Sequence, residues 1–161
     1  MTALNKKPTS ALFESFGAIL DELKQRNIVR SSNSPIADYA EVLVCRALNL
    51  TREAASTKAF DARDHQGRRY EIKGRRLNSW NKSRQLSAIR DLDGKHFEFL
   101  VVVLFAADFS VQRACLLPAA LVTTSARYKE YVNAHVIHAN DKLFAQDGVK
   151  DITIQVRRAT R

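Results

Sequence analysis

Apolar residues recur at helical spacing twice in the first third of the chain. The first set spans residues 12–23, and Ser10 can cap the helix that it predicts, which ends near residue 27. Residues 28–30 are predicted as a short extended piece, and the breaker cluster 31–35 follows. A second helix is predicted over residues 36–48. Residues 1–35 are therefore predicted to form an N-terminal helical extension and linker.

Residues 60–73 predict two short strands joined by a tight turn. Asp64 and Gly67 have turn chemistry, since Asp bonds its own backbone and Gly accepts positive φ. After the turn, charged and apolar positions alternate, and side chains two apart point the same way. Tyr70 and Ile72 are therefore expected in a core, with Glu71 and Lys73 on the opposite face.

The second half of the chain is dominated by a continuous apolar run at residues 97–105. Its β-branched content predicts a strand that is buried on both faces. The remaining expectations are an antiparallel strand at 111–117, a short helix from Pro118 to about 124, an ambiguous segment at 126–138, a helical turn at 141–145 and a strand at 152–156. Together the elements predict one α/β (α+β) domain over residues 1–161, with a mixed central sheet flanked by helices.

The net charge adds a class of partner to this picture. The 161 residues include 26 basic and 17 acidic side chains, which gives +9. This balance suggests a polyanion, with nucleic acid first, and a general solubility charge is the alternative.

Two classes of protein are disfavoured by the same composition. Cys45 and Cys115 lie in apolar patterns and are expected as buried free thiols, without a disulfide framework. Acidic residues interrupt the N-terminal apolar positions, so we expect no signal peptide, no membrane span and a cytoplasmic location.

Candidate chemistry is concentrated in the alternating segment. If its two strands pair, Asp61 comes near Glu71, and two carboxylates converge with Lys73. Two carboxylates suit a hard divalent cation such as Mg²⁺, and a lysine can orient an attacking water or neutralise developing charge. The chain has three acid-x-Lys triplets, beginning at Glu22, Glu71 and Asp93, but only the one at Glu71 lies in a strand-like alternation.

Asp61, followed ten residues later by Glu71-Ile72-Lys73, resembles the PD-(D/E)xK nuclease superfamily. The resemblance covers residues 41–105, with Phe60 where the family motif has Pro. It implies a restriction-endonuclease-like fold and a DNA endonuclease that uses Mg²⁺, for which Mn²⁺ can substitute. Asp61 and Glu71 would bind the metal, and Lys73 would act on the water.

The resemblance also implies further site residues. An acidic residue on the preceding helix would complete the metal site, and Glu41 is preferred to its rival Asp38. Four basic residues are expected to hold the nucleic acid backbone: Arg75, Arg76, Lys82 and Arg84. Gln85 is the candidate for the polar residue that members often carry after the core site. A homodimer is expected, because duplex cleavage needs two such sites.

Several alternatives stay open at this point. Trp80 can stack on a base or cover the sheet edge. The protein can be a non-catalytic basic DNA-binding protein on the same fold, or a basic scaffold subunit that binds another protein. The nuclease, unlike these two alternatives, needs Asp61, Glu71 and Lys73 within reach of one cation. RNA in place of DNA stays open as well.

Overall fold

The computed structural model describes residues 3–30, 35–54 and 60–160 of the chain. Within these residues the α-helices are α1 (Thr9–Gln25), α2 (Pro35–Leu48), α3 (Ala119–Ser125), α4 (Asp141–Phe144) and α5 (Thr153–Arg158). The strands are β1 (Thr51–Arg52), β2 (Ala62–Arg63), β3 (Arg69–Arg76), β4 (Phe99–Phe105), β5 (Val111–Pro118), β6 (Arg127–Lys129), β7 (Ala134–Val136) and β8 (Lys150–Asp151). No described side chain of α1 is buried.

Six strands form one mixed sheet in the order β1-β2-β3-β4-β5-β8, and β6 and β7 form a separate antiparallel pair. β3 and β4 run parallel, whereas the other neighbours in the large sheet are antiparallel. The predicted mixed sheet flanked by helices is therefore confirmed. The predicted helices at 10–27 and 36–48 are confirmed by α1 and α2.

The predicted hairpin is formed by β2 and β3. Asp64 O accepts the N–H of Gly67 at 3.0 Å, and Gly67 has φ +79°. Asp64 Oδ1 accepts the N–H groups of Gln66 (2.9 Å) and Arg68 (3.0 Å), so one carboxylate organises the whole turn. This is the turn chemistry that the Asp and Gly positions predicted.

β4 is the central strand, and both of its faces are covered, as its apolar run predicted. Alternate side chains pack on the core beneath α2 and α5: Val101, Val103 and Phe105. The intervening side chains pack against the long β3–β4 connection: Leu100, Val102 and Leu104. Residues of the connection that close this second core are Leu86, Ile89, Leu92 and Phe97.

Helix α2 packs closely against β3 at Gly74. A Cβ placed there would lie 2.9 Å from both Ala40 Cβ and Ile36 O, which real Cβ atoms do not tolerate. A residue without a side chain is therefore needed for α2 to pack this tightly on the hairpin. This packing fixes Glu41, one residue after Ala40, relative to the strands that carry the other candidate residues.

One predicted strand is wrong. Residues 152–156 enter helix α5, because Ile152 and Val156 are buried on one helical face against the α2 side of the sheet. Only Lys150–Asp151 pairs as a strand, with β5. Residues 28–30 form no strand, since Asn27 has φ +56° and the N–H of Ile28 bonds Leu23 O at the end of α1.

The other late elements agree with the sequence or resolve it. β5 pairs antiparallel with β4, and short helices form at Ala119–Ser125 and Asp141–Phe144. The ambiguous segment 126–138 contains the β6–β7 hairpin. Cys45 and Cys115 are buried free thiols, as expected. In the part of the chain that the structure describes, no helix is both long and apolar enough to cross a bilayer.

Candidate active site

Asp61 immediately precedes β2 in the chain and is hydrogen-bonded to β3. Its N–H donates to Tyr70 O at 2.9 Å, and its Oδ2 accepts the N–H of Ile72 at 2.7 Å. The β2–β3 register pairs Ala62 with Tyr70, so one further step sets Asp61 beside Glu71. The sequence-based expectation that these two carboxylates approach each other is met by this register.

Glu71 and Lys73 lie on the face of β3 opposite Tyr70 and Ile72, and they contact each other. Lys73 Nζ is 2.6 Å from Glu71 Oε1, and each side chain is 15% exposed. The pair also lines a cleft of about 340 Å³, whose far wall comes from the β3–β4 connection and includes Ile89, Arg90 and Phe97. The ion pair is therefore accessible from solvent on one side.

Burial and charge raise the pKa of the Asp61 carboxyl to about 6. Desolvation is the largest cause, and the negative charge of Glu71 acts in the same direction, against the Ile72 N–H and the charges of Lys73 and Arg30. A carboxyl with a raised pKa beside a second carboxylate is a frequent feature of functional sites. The charges of Glu71 and Lys73 therefore both act on the Asp61 carboxyl, in opposite directions.

Glu41 reaches this group from α2, but two arginines hold its carboxylate. Arg52 Nε donates to Glu41 Oε2 at 2.7 Å, and Arg30 Nη2 contacts the same oxygen. Burial raises the Glu41 pKa against the hydrogen bond from Arg52, and the charge of Asp61 raises it further. The negative charge of Asp61 therefore acts on Glu41, whose Oε2 atom is already paired with Arg30 and Arg52.

The rival candidate Asp38 is held by the same two arginines. Arg52 Nη2 donates to Asp38 Oδ1 at 2.6 Å, and the backbone N–H of Arg30 donates to Oδ2 at 2.8 Å. Sequence reasoning missed both arginines. The available signal was the spacing of Asp38 and Glu41, which puts two acids on one helical face and calls for a shared cationic partner.

The candidate metal site offers two carboxylates, Asp61 and Glu71. Among the described residues, no group of three or more His, Cys, Asp or Glu side chains could hold a metal ion. Glu41 is therefore not arranged as a third ligand. Carboxylate oxygens are nevertheless the donors that Mg²⁺ and Mn²⁺ prefer, and Mg²⁺ commonly uses one or two of them with waters and phosphate oxygens.

Two of the predicted phosphate-binding arginines hold loops of the protein. Arg75 Nε donates to Ser83 O at 2.9 Å, and its Nη2 donates to Asn81 Oδ1 at 3.1 Å. Arg76 Nε donates to Ala107 O at 2.9 Å, and its guanidinium lies 4.4 Å from the Phe109 ring centroid. Both side chains therefore brace the sheet edge through intramolecular contacts.

The other predicted nucleic acid contacts differ among themselves. Arg84 shares Asp141 Oδ1 with Arg113, at 3.0 and 3.1 Å. Gln85 forms an isolated backbone bridge with His138. Lys82 is exposed and makes no ion pair with the described residues, which leaves its charge available to a ligand.

The exposure of Trp80 excludes one of its two candidate roles. Its side chain is 95% exposed, so it does not cover the sheet edge.

No protein-family model matches the chain, and no curated protein matches it.

Proposed function

We propose that this protein is a metal-dependent DNA endonuclease of the PD-(D/E)xK type. The observation that carries the proposal is the convergence of Asp61, Glu71 and Lys73. Asp61 is hydrogen-bonded to β3 and its pKa is raised by burial and by Glu71, while Glu71 contacts Lys73 at 2.6 Å. A partly buried carboxylate, Asp61, beside a second carboxylate and a lysine that line a cleft, Glu71 and Lys73, supplies the elements of metal-assisted phosphodiester hydrolysis.

Each residue has a defined task in this proposal. Asp61 and Glu71 would hold Mg²⁺ or Mn²⁺, and the bound ion would lower the pKa of a water and neutralise phosphate charge. Lys73 turns from Glu71 toward the attacking water and toward the phosphoryl oxygens, where negative charge grows in the transition state. Glu41 assists at longer range, because its paired carboxylate adds to the negative field at Asp61.

The second candidate is a basic DNA-binding protein without catalysis, and specific contacts favour it. Lys73 is engaged by Glu71, and Glu41 is engaged by Arg30 and Arg52. In this alternative the carboxylates neutralise neighbouring cations and stabilise the hairpin. DNA binding through the +9 net charge is common to both candidates.

The experiment that separates the two candidates is plasmid nicking with Mg²⁺, with Mn²⁺ and with EDTA. The nuclease proposal expects nicking with either ion, none with EDTA, and a loss of about 10²-fold or more for Glu71→Gln. Glu130→Gln is the matched control, because Glu130 is exposed and makes no ion pair with the described residues. DNA binding without metal-dependent nicking would reject the enzyme and leave the binding protein.

A homodimer is part of the nuclease proposal, because one such site cuts one strand. Sedimentation of the purified protein with and without duplex DNA tests it. A single-chain species under both conditions, combined with double-strand cleavage, would reject the dimer.

A further inference from the structure

Trp80 is a large aromatic side chain held out in solvent. It is the chain's single tryptophan and is 95% exposed. Burial of a tryptophan side chain is strongly favourable, because it removes a large apolar area from water. Its exposure alone would not indicate a site, so the argument rests on the loop that carries it.

The loop around Trp80 is fixed by its own hydrogen bonds. Asn78 Oδ1 accepts the N–H of Trp80 at 2.9 Å and the N–H of Asn81 at 2.7 Å. The N–H of Asn78 in turn donates to Asn81 O at 3.0 Å. An Asx turn of this kind sets the backbone before any ligand arrives, so the indole is presented with little ordering cost on binding.

Arg75 ties this loop to the candidate active site. It bonds Asn81 Oδ1 and Ser83 O, and the N–H of Ser83 also donates to Asn81 Oδ1 at 3.1 Å. Arg75 is two positions after Lys73 on β3, hence on the same face and about 6–7 Å farther along the strand. The Trp80 loop is therefore braced beside the Glu71–Lys73 pair.

The charge around the loop selects the class of partner. Residues 72–90 contain six basic side chains and no acidic one. Lys82, two positions after Trp80, is exposed and makes no ion pair with the described residues. An aromatic ring near a free cation is a combination that binds single-stranded nucleic acid, with the cation on a phosphate and the ring on a base.

We propose that Trp80 stacks on an unpaired nucleobase, so that the preferred ligand contains a single-stranded stretch beside the cleft. The position of that stretch relative to a cut phosphate rests on the proposed nuclease function, whereas the stacking itself does not. In a closed duplex the faces of internal bases are covered by their neighbours, so the indole has no base face to meet. A single strand or a duplex with a single-stranded extension offers one.

The test is a fluorescence titration of Glu71→Gln protein in EDTA, which prevents cleavage. Because Trp80 is the chain's single tryptophan, its emission reports the contact directly. Short oligodeoxynucleotides are added as a single strand, a blunt duplex, and a duplex with a 3′ or 5′ extension, and one oligoribonucleotide is added to compare the sugars. We expect quenching by the single strand and by an extended duplex, and weak quenching by the blunt duplex.

Variants give the affinity side of the same test, read by anisotropy of labelled oligonucleotides. Trp80→Ala should weaken single-strand binding by about 5- to 150-fold, the range for loss of one base–aromatic stack. Trp80→Phe should retain most of the affinity, since a smaller ring still stacks. Tyr131→Ala is the matched control, because Tyr131 is 77% exposed but lies in the separate β6–β7 hairpin.

Other outcomes would overturn the stacking proposal or separate it from the proposed nuclease function. Unchanged single-strand affinity in Trp80→Ala, or equal quenching by blunt duplex and single strand, would overturn the proposal. Loss of self-association in Trp80→Ala with unchanged nucleic acid affinity would assign Trp80 to a protein contact instead. Quenching and a Trp80-dependent affinity without any metal-dependent cleavage would sustain the stacking site while rejecting the nuclease.

Discussion

The carboxylate of Asp61 accepts a hydrogen bond from the backbone N–H of Ile72, with 2.7 Å between Oδ2 and N. Ile72 lies between Glu71 and Lys73, so this bond aims Asp61 at the two residues with which it was expected to act. The same bond gives a partly buried carboxylate one backbone donor, which partly offsets its desolvation. The candidate site is thus positioned by main-chain atoms of the hairpin.

Asp61→Asn is expected to abolish nicking and to raise the melting temperature. The amide oxygen still accepts the Ile72 N–H, while the buried charge that Glu71 repels is gone. A gain of 1 kcal/mol corresponds to roughly 2–4 °C for a chain of this size. Calorimetry in EDTA checks the result beside the exposed Asp93→Asn. A lower melting temperature for Asp61→Asn alone would show that the ionised carboxylate stabilises the fold.

Lys73→Ala is expected to reduce the single-turnover cleavage rate by about 10²–10³, with little change in DNA affinity measured in EDTA. The reason is that its charge acts on the water and the transition state. Lys73→Arg should not restore the rate, because a planar guanidinium presents its charge in another geometry. Lys150→Ala, on an exposed short strand, is the control. Equal losses of rate and affinity would make Lys73 an ordinary phosphate contact.

Arg52→Met is expected to destabilise the protein by about 3 kcal/mol, because it leaves the buried carboxylates of Glu41 and Asp38 short of a partner. The double variant Arg52→Met with Glu41→Met should recover part of this loss, as a double-mutant cycle in urea would measure. Arg63→Met is the matched control, since its pair with Glu53 is half exposed and should cost about 1 kcal/mol or less. Equal costs for Arg52→Met and Arg63→Met would contradict the buried network.

Asp64 gives a pH dependence with a definite sign. Burial alone would raise its pKa, but hydrogen bonds from the Arg68 side chain, two backbone N–H groups and Tyr70 lower it to about 2. Its folded pKa lies below the unfolded value of roughly 3.9, so its stabilisation is complete above pH 4 and is lost as the pH falls toward 2.

The comparison of wild type with Asp64→Asn isolates this contribution. The variant should be less stable at pH 7, and the difference in free energy of unfolding should shrink between pH 4 and pH 2. Urea unfolding at pH 7, 4 and 2.5 measures it, with the exposed Asp93→Asn as control. A difference that is constant with pH would assign the effect to lost turn geometry alone.

Salt dependence separates the basic residues that bind DNA from those that brace the protein. Lys82→Ala should reduce the slope of log affinity against log salt by about 0.9 for duplex DNA, the value for one phosphate contact. Arg76→Ala should leave that slope nearly unchanged and lower the melting temperature, because Arg76 bonds Ala107 O and stacks on Phe109. Anisotropy titrations between roughly 50 and 200 mM salt measure the slope for each variant. The reverse pattern would restore Arg76 as a backbone contact.

Elements whose pattern is local could be predicted from the amino-acid sequence. The Asp64–Gly67 turn and the alternation around Glu71 and Lys73 follow from short-range sterics and hydrogen bonding, and the fully apolar strand β4 follows from its own side chains. The convergence of Asp61 with Glu71 was also within reach of the sequence, since antiparallel pairing about a known turn sets the register.

Features that depend on residues distant in the sequence could not be predicted from local patterns. Residues 152–156 have strand propensity, yet burial of Ile152 and Val156 against the α2 side of the sheet makes that segment helical. Arg30 precedes α2 in the sequence and Arg52 follows it, yet both form ion pairs with Glu41. Arg75 and Arg76 donate hydrogen bonds to carbonyl oxygens of loops. The charge of a side chain is known from the sequence, but its partner depends on the packing of the fold. Ion pairs and hydrogen bonds form only between groups that the fold brings within about 3 Å of each other.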